Sequence, residues 1–131
     1  MPSAGGRSSE CHELREELRA FALGLPEAWE DFPWEESVVK VGKKIFAFLG
    51  SHDSESCASL GVKLPESADA ILQERWATPS SHGLGRSGWV TIELRSPDEA
   101  PLDLLFDLVV ESYCAVAPKR LAAAYLAKIE G

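Results

Sequence analysis

Three histidines are the first residues to weigh as catalytic or metal-binding groups, because imidazole can act as a general base or a metal ligand near neutral pH. His12, His52 and His82 do not lie at metal-ligand spacing from cysteines or carboxylates. His82, in the Ser/Gly-rich loop of residues 79–86, leaves a Ser–His or Cys–His nucleophile arrangement open. No nucleophile-elbow motif surrounds it. We therefore predict no catalytic residue, no metal, no cofactor and no enzyme activity.

The cysteines offer a second kind of chemistry, metal binding or thiol redox exchange. Cys11, Cys57 and Cys114 are odd in number and widely spaced, and the chain contains no C-x-x-C pair. The spacing therefore indicates neither a zinc ribbon nor a redox motif. We expect reduced thiols in a cytosolic protein, with Cys57 and Cys114 as small core residues.

A group of basic side chains beside a tryptophan could bind phosphates. Lys43 and Lys44 follow Gly42 at a predicted turn, and a hairpin tip can enter a groove or contact a phosphate backbone. Lys63 ends a predicted strand, and Arg86 comes shortly before Trp89. The competing interpretation is that lysines at a turn and a sheet edge prevent strand pairing and aid solubility.

The overall charge limits how such a group could act. The chain has a net charge of −8, which opposes bulk electrostatic capture of nucleic acid. The charge is unevenly distributed. Residues 1–37 hold three basic and nine acidic side chains, whereas residues 38–95 hold seven and six. The region of the predicted sheet can therefore carry a local basic surface.

The length and ends of the chain set its domain organisation. A chain of 131 residues is predicted to form one domain with a real core, and no apolar run is long enough to cross a bilayer. Residues 1–9 are small and polar and lack the apolar centre of a secretory signal. We predict a flexible leader over 1–9, a single domain over 10–131, no membrane association and a cytoplasmic location.

A hairpin over residues 38–49 is the clearest element. Apolar residues alternate with others on both arms, and Gly42-Lys43 separates the arms. A glycine at the first position of a two-residue loop suits a type II′ turn, which needs a positive φ there. The acidic, aromatic segment that precedes the hairpin, residues 27–37, is expected to be a connection. Its Trp29 and Phe32 are expected to fill space between the first helix and the sheet edge.

The remaining elements follow from periodicity and from Gly and Pro positions. Together they separate into strands and helices instead of alternating strictly, which predicts an α+β fold in two layers. The mostly antiparallel sheet would have helices packed on one face, and the other face would meet solvent or a partner. The predicted elements are helices at 11–23, 65–75, 101–117 and 119–129 and strands at 56–64 and 89–94.

Several short segments occur in an order that is more specific than any one of them. These are Leu25-Pro26 followed by Glu30, Phe32 and Pro33; the run from Val41 to Ala47; Val62-Lys63; Trp89-Val90-Thr91 after Arg86; and Ser112-Tyr113. In these segments the chain resembles the MmcQ/YjbR family, small bacterial proteins with a CyaY-like fold. It departs from the family pattern in two places. The usual Gly-Gly turn is Gly42-Lys43 here, and Arg86 alone supplies basic character before the tryptophan.

The resemblance implies the two-layer α+β fold and the family's usual description, a predicted DNA-binding protein with a double-wing motif. When the family pattern is carried over residue by residue, the resemblance implies a shared surface formed by Lys44, Lys63, Arg86 and Trp89. Lys43, in the turn, adds a further charge to this surface. Duplex DNA is the partner that this interpretation predicts.

Two alternatives stay open. One is a protein-interaction or small-ligand module that uses the open sheet face and the acidic flanks, and it should expose a contiguous apolar patch. The other is frataxin-like cation binding by the acidic first helix, which should bring several carboxylates within coordination distance. The carboxylates of that helix are Glu10, Glu13, Glu16 and Glu17.

Overall fold

Helices cover one face of a six-stranded antiparallel sheet. The computed structural model describes residues 2–33, 36–51, 56–81 and 83–130. In chain order the elements are α1 (Pro2–Leu23), β1 (Ala28–Asp31), β2 (Glu36–Val41), β3 (Lys44–Ser51), β4 (Ala58–Lys63), α2 (Ala68–Ile71), β5 (Ala77–Pro79), β6 (Trp89–Leu94), α3 (Leu102–Val116) and α4 (Lys119–Glu130). The strands lie in the order β1-β2-β3-β4-β6-β5. The predicted α+β class is confirmed.

The predicted hairpin is confirmed as β2 and β3. Val41 pairs with Lys44 across a two-residue loop, and Gly42 has a φ of 65°. Among the described residues outside glycine, a positive φ occurs at Glu27 and not at Lys43. A positive φ at the first loop position alone is the pattern expected of a type II′ turn.

A β-bulge in β3 sets the side-chain directions of this hairpin. Val39 pairs with Ala47 and Lys40 pairs with Ile45, so Phe46 is the extra residue on β3. Phe46 and Ala47 are consequently both fully buried. The Phe46 ring meets the edge of the Tyr113 ring in α3, with centroids 5.2 Å apart.

The core lies between the sheet and the two longest helices. Apolar residues recur every three or four positions along α1 and α3, which places them on one face of each helix. A stack of the Phe21 and Phe106 rings, 4.2 Å apart, joins the two helices. Alternate residues of β4 and β6 complete the core from the sheet side. These buried residues are Leu14, Leu18 and Ala22 of α1; Leu105, Leu108, Val109 and Tyr113 of α3; Leu60 and Val62 of β4; and Val90, Ile92 and Leu94 of β6.

Neither edge strand was predicted: β1 lies in the segment predicted as a connection, and β5 lies between the predicted helix at 65–75 and the predicted loop at 79–86, which it overlaps only at Pro79. β1 falls inside residues 27–37 and pairs with β2, and β5 pairs with β6 just before the Ser/Gly-rich loop. An edge strand pairs on one side only, so it tolerates charged residues and proline. These residues interrupt the alternation of apolar and polar residues by which a strand is recognised in a sequence. β1 contains Glu30 and Asp31, and β5 ends at Pro79.

Two predicted helices have different limits. The helix predicted over 65–75 is a single turn, α2, because the following amides bond three residues back and the chain then enters β5. The helix predicted to begin near Cys11 begins at Pro2, within the segment predicted as a flexible leader. Once a helix is nucleated, each added residue gains a hydrogen bond without a new nucleation cost.

The prediction of reduced thiols is wrong for two of the three cysteines. Cys11 in α1 and Cys57, just before β4, form a disulfide. Both are buried, and the Arg15 guanidinium donates a hydrogen bond of 3.2 Å to the Cys57 carbonyl oxygen beside them. Cys114 is a free cysteine, and burial raises the pKa of its thiol. The disulfide therefore fastens α1 to the start of β4.

Candidate nucleic-acid interface

The predicted basic residues lie at one end of the sheet. Lys43 is in the β2–β3 turn, Lys44 begins β3 and Lys63 ends β4. Arg86 is in the short 3-10 turn (Leu84–Ser87) that leads into β6. In antiparallel strands the end of one meets the start of the next, so these four positions share an end. We call Lys43, Lys44, Lys63 and Arg86 the basic end.

Among the described residues, no carboxylate neutralises the charges of the basic end. Lys43, Lys44 and Arg86 are exposed and Lys63 is half-buried. None of the four forms an ion pair with another residue that the structure describes. A Cβ placed on Gly42 would meet no atom within 4 Å, so the space beside Gly42 in the turn is open. The four cations are therefore available to an anionic ligand.

The strand register sends two of these lysines to opposite sides of the sheet. Lys63 lies directly opposite Trp89, between the core residues Val62 and Leu64, so its side chain leaves from the face away from the helices. Lys44 lies opposite Val41, whose side chain is in the core. Directly opposed residues share a face, so Lys44 leaves from the helix side. The basic end is therefore a rim around the end of the sheet and not one flat face.

Aromatic rings lie on the sheet face away from the helices, which we call the outer face. The Phe48 ring on β3 and the Trp89 ring on β6 meet edge to face, with centroids 5.4 Å apart. Gly61 on β4 lies between them, and a Cβ there would come within 3.1 Å of the Phe48 Cβ and Cδ2 atoms. The missing side chain at Gly61 lets the Phe48 ring lie across β4 toward Trp89. Both rings are half-buried.

Trp29 is a part of this surface that sequence reasoning missed. It was predicted to fill space beside the first helix, but it lies on β1 and is 44% exposed. Its indole Nε1–H donates a hydrogen bond of 2.9 Å to the Gly42 carbonyl oxygen at the hairpin tip. The Lys40 Nζ atom lies 5.2 Å from the ring centroid. Its position opposite Lys40 in the β1–β2 register could have been found only if β1 had been recognised as a strand.

Lys40 adds little free charge to this surface. Its Nζ atom lies 2.7 Å from Asp31 Oδ2 on β1. The hydrogen bond from Lys40, helped by the backbone N–H of Phe32, lowers the pKa of Asp31. The two opposite charges therefore largely cancel. The residue after Gly42, whose carbonyl oxygen accepts the Trp29 hydrogen bond, is Lys43.

The described carboxylates do not form a cation site. No group of three or more His, Cys, Asp or Glu side chains suited to a metal was found among the described residues. Glu16 of the acidic helix lies 3.6 Å from the Arg19 guanidinium instead. His82 and His52 lie outside the described residues. Within the described part of the chain, no helix is both long and apolar enough to span a membrane.

Comparisons with known proteins agree with this architecture. No protein of curated function matches the chain. A solved structure, DR2400 of Deinococcus radiodurans, which is described as a DUF419 domain, is similar to it with a TM-score of 0.64 and 28% sequence identity. The similarity covers 76% of this chain and 75% of DR2400. The YjbR family model matches residues 23–115, which run from the end of α1 to near the end of α3, and the chain therefore belongs to the YjbR family.

Proposed function

We propose that this protein is a non-enzymatic DNA-binding protein, and that its basic end contacts the phosphates. One observation carries the proposal. Four cations that form no ion pair with any described residue lie at one end of the sheet, in a chain whose net charge is −8. Such a local cluster can bind phosphates even when the protein as a whole repels them, because screening limits the reach of distant charges to about 10 Å.

The position of the hairpin turn supports the same function. The turn between β2 and β3 carries Lys43 and Lys44, both exposed, and has open space beside Gly42. Lysines at an exposed turn can contact the phosphates of duplex DNA. Contact with about four phosphates implies binding that depends strongly on salt and only weakly on sequence.

The test is a titration of a fluorescently labelled duplex, followed by anisotropy at two salt concentrations. With four phosphate contacts, affinity should fall about 100-fold between about 50 mM and about 200 mM salt. Lys43→Glu should weaken binding about tenfold at the lower salt and make the salt dependence shallower. Absence of binding at low salt would exclude duplex DNA as a ligand of the basic end.

A charge-matched control separates a local contact from a change in net charge. Lys128 is exposed in the last turn of α4 and is not one of the four residues of the basic end, so Lys128→Glu alters net charge as much as Lys43→Glu does. We expect Lys128→Glu to bind DNA nearly as the unaltered protein does. Equal losses in the two variants would show that net charge, and not the basic end, governs binding.

A second candidate is a protein-interaction or small-ligand module that uses the outer face. The exposed ring of Trp29 and the half-buried Phe48 and Trp89 rings favour it, because aromatic residues are enriched at protein interfaces. The same titration discriminates the candidates. Binding lost with Lys43→Glu favours DNA, whereas absence of DNA binding leaves the interaction module as the better explanation.

A further inference from the structure

We propose that the outer face binds unpaired nucleotides, so that the preferred ligand is single-stranded nucleic acid and not a closed duplex. The inference rests on the proposed nucleic-acid function and adds which form is recognised. It follows from three aromatic side chains on the face away from the helices, Trp29, Phe48 and Trp89, beside free cations. Bases stack on exposed aromatic rings, but a duplex keeps its base faces inside the helix.

The Trp29 ring is held in a fixed position, which favours stacking of a base on it. The hydrogen bond from its Nε1–H to the Gly42 carbonyl oxygen fixes the indole against the hairpin tip. Lys40, itself held by Asp31, lies over the ring. The residue is nevertheless 44% exposed, so a ligand can reach it. A ring that is already ordered loses little conformational entropy when a base stacks on it.

Phe48 and Trp89 form a second aromatic position on the same face. Their edge-to-face contact fixes the angle between the rings, and Gly61 leaves the space in which the Phe48 ring lies. Trp29 is on β1 and Trp89 is on β6, four strand spacings apart in the sheet order. At about 4.8 Å per spacing, the two positions are about 19 Å apart across the sheet. One extended strand of several nucleotides could contact both.

The lysines on this surface complement the negative phosphates of a single-stranded nucleic acid. Lys63 lies directly opposite Trp89 on the neighbouring strand, on the same face and without an ion-pair partner among the described residues. Lys43 is in the turn next to Gly42, against which the Trp29 ring is fixed. Each aromatic position therefore has a free cation beside it. A lysine next to a stacking ring can contact the phosphate that joins neighbouring bases.

The experiment compares a labelled oligodeoxythymidine of about 12 nucleotides with a duplex of the same length, at one low salt concentration. The single strand should bind more tightly than the duplex. Trp29→Leu should weaken single-strand binding about tenfold and leave duplex binding nearly unchanged. Trp29→Phe, which keeps a ring, should have an intermediate effect, and thermal unfolding of each variant checks that it is folded.

Phe32→Leu is the matched control, because Phe32 is an exposed aromatic residue directly after β1 that lies outside the proposed surface. It should bind both ligands as the unaltered protein does. Duplex binding as tight as single-strand binding, or a Trp29→Leu variant unchanged on the single strand, would overturn this inference and leave the DNA-binding proposal standing. Absence of binding to both ligands at low salt would overturn both.

Discussion

The backbones of Phe46 and Lys63 are joined through one side-chain hydroxyl instead of a direct ladder hydrogen bond. Ser112 Oγ, in α3, donates to the Phe46 carbonyl oxygen at 2.5 Å and accepts from the Lys63 N–H at 2.8 Å. The β3–β4 pairing ends one position earlier, at Ala47 and Val62. A helix residue therefore continues the sheet where its strands separate, and it holds the position of Lys63 in the basic end.

Ser112→Ala should destabilise the protein by about 2 kcal/mol. Ser112 is fully buried, so water cannot take the place of its hydroxyl. Removal of the hydroxyl therefore leaves the Lys63 N–H and the Phe46 carbonyl oxygen without a hydrogen-bond partner. Urea unfolding at neutral pH measures the loss. Ser96→Ala is the control, since Ser96 bonds Asp98 at the surface and its removal should cost less than about 0.5 kcal/mol. Equal costs in the two variants would contradict the bridging role of Ser112.

The ion pair between Arg19 and Glu30 should make stability depend on pH. Arg19 donates three hydrogen bonds of 2.7–3.1 Å to the two Glu30 carboxylate oxygens, and Ser37 donates a fourth to the same carboxylate. The hydrogen bond from Arg19 lowers the pKa of Glu30 below its ordinary value. The folded state therefore binds this proton less readily than the unfolded state. The pair stabilises the fold above the unfolded-state pKa, and this contribution is lost as pH falls through the folded-state pKa.

Glu30→Gln tests that dependence. At pH 7 the variant should be less stable by about 1–2 kcal/mol in urea unfolding, because Arg19 loses a mostly buried carboxylate. The difference from the unaltered protein should shrink as pH falls below about 4. Glu16→Gln removes a carboxylate that is 52% exposed and 3.6 Å from Arg19, and it should change stability little at any pH. A Glu30→Gln difference that stays constant with pH would argue against this linkage.

Local patterns in the sequence were sufficient to predict the strands that pair on both sides and the helices that have a long amphipathic face. The hairpin, β6, α3 and α4 all have regular apolar spacing, and each was predicted within a few residues. β1 was missed because an edge strand carries charged residues, which hide the alternation in Ala28–Asp31. The same omission hid Trp29, whose exposure follows from its place on that strand.

The arrangement of the candidate site depends on register, which the sequence does not specify locally. That Lys43, Lys44, Lys63 and Arg86 share one end follows from antiparallel strand order. That Lys44 and Lys63 leave from opposite faces depends on how β3 pairs with β2 in the hairpin and on how β4 pairs with β6, a strand far from β4 in the chain. The disulfide depends in the same way on the docking of α1, which brings together two cysteines 46 residues apart.

That disulfide should contribute substantially to stability. Closing a loop of 46 residues restricts the unfolded chain by about 4 kcal/mol in the chain-entropy model. Reduction with dithiothreitol should lower the urea midpoint accordingly, and Cys57→Ser should reproduce the effect without the reductant. Thiol titration of the denatured, unreduced protein should find one reactive thiol, Cys114, and three after reduction. Three thiols before reduction would show that the bond is absent in the protein as purified.

Gly61→Ala should destabilise the outer face through contact with Phe48. The new Cβ would lie 3.1 Å from the Phe48 Cβ and Cδ2 atoms, and the Cβ is tied to the backbone and cannot swing away. The clash should cost about 1–2 kcal/mol in urea unfolding. Phe48→Leu removes the ring, so the double variant should lose less stability than the sum of the two single variants. Additive losses would mean that Gly61 does not make room for the Phe48 ring, and the second aromatic position would lose its structural basis.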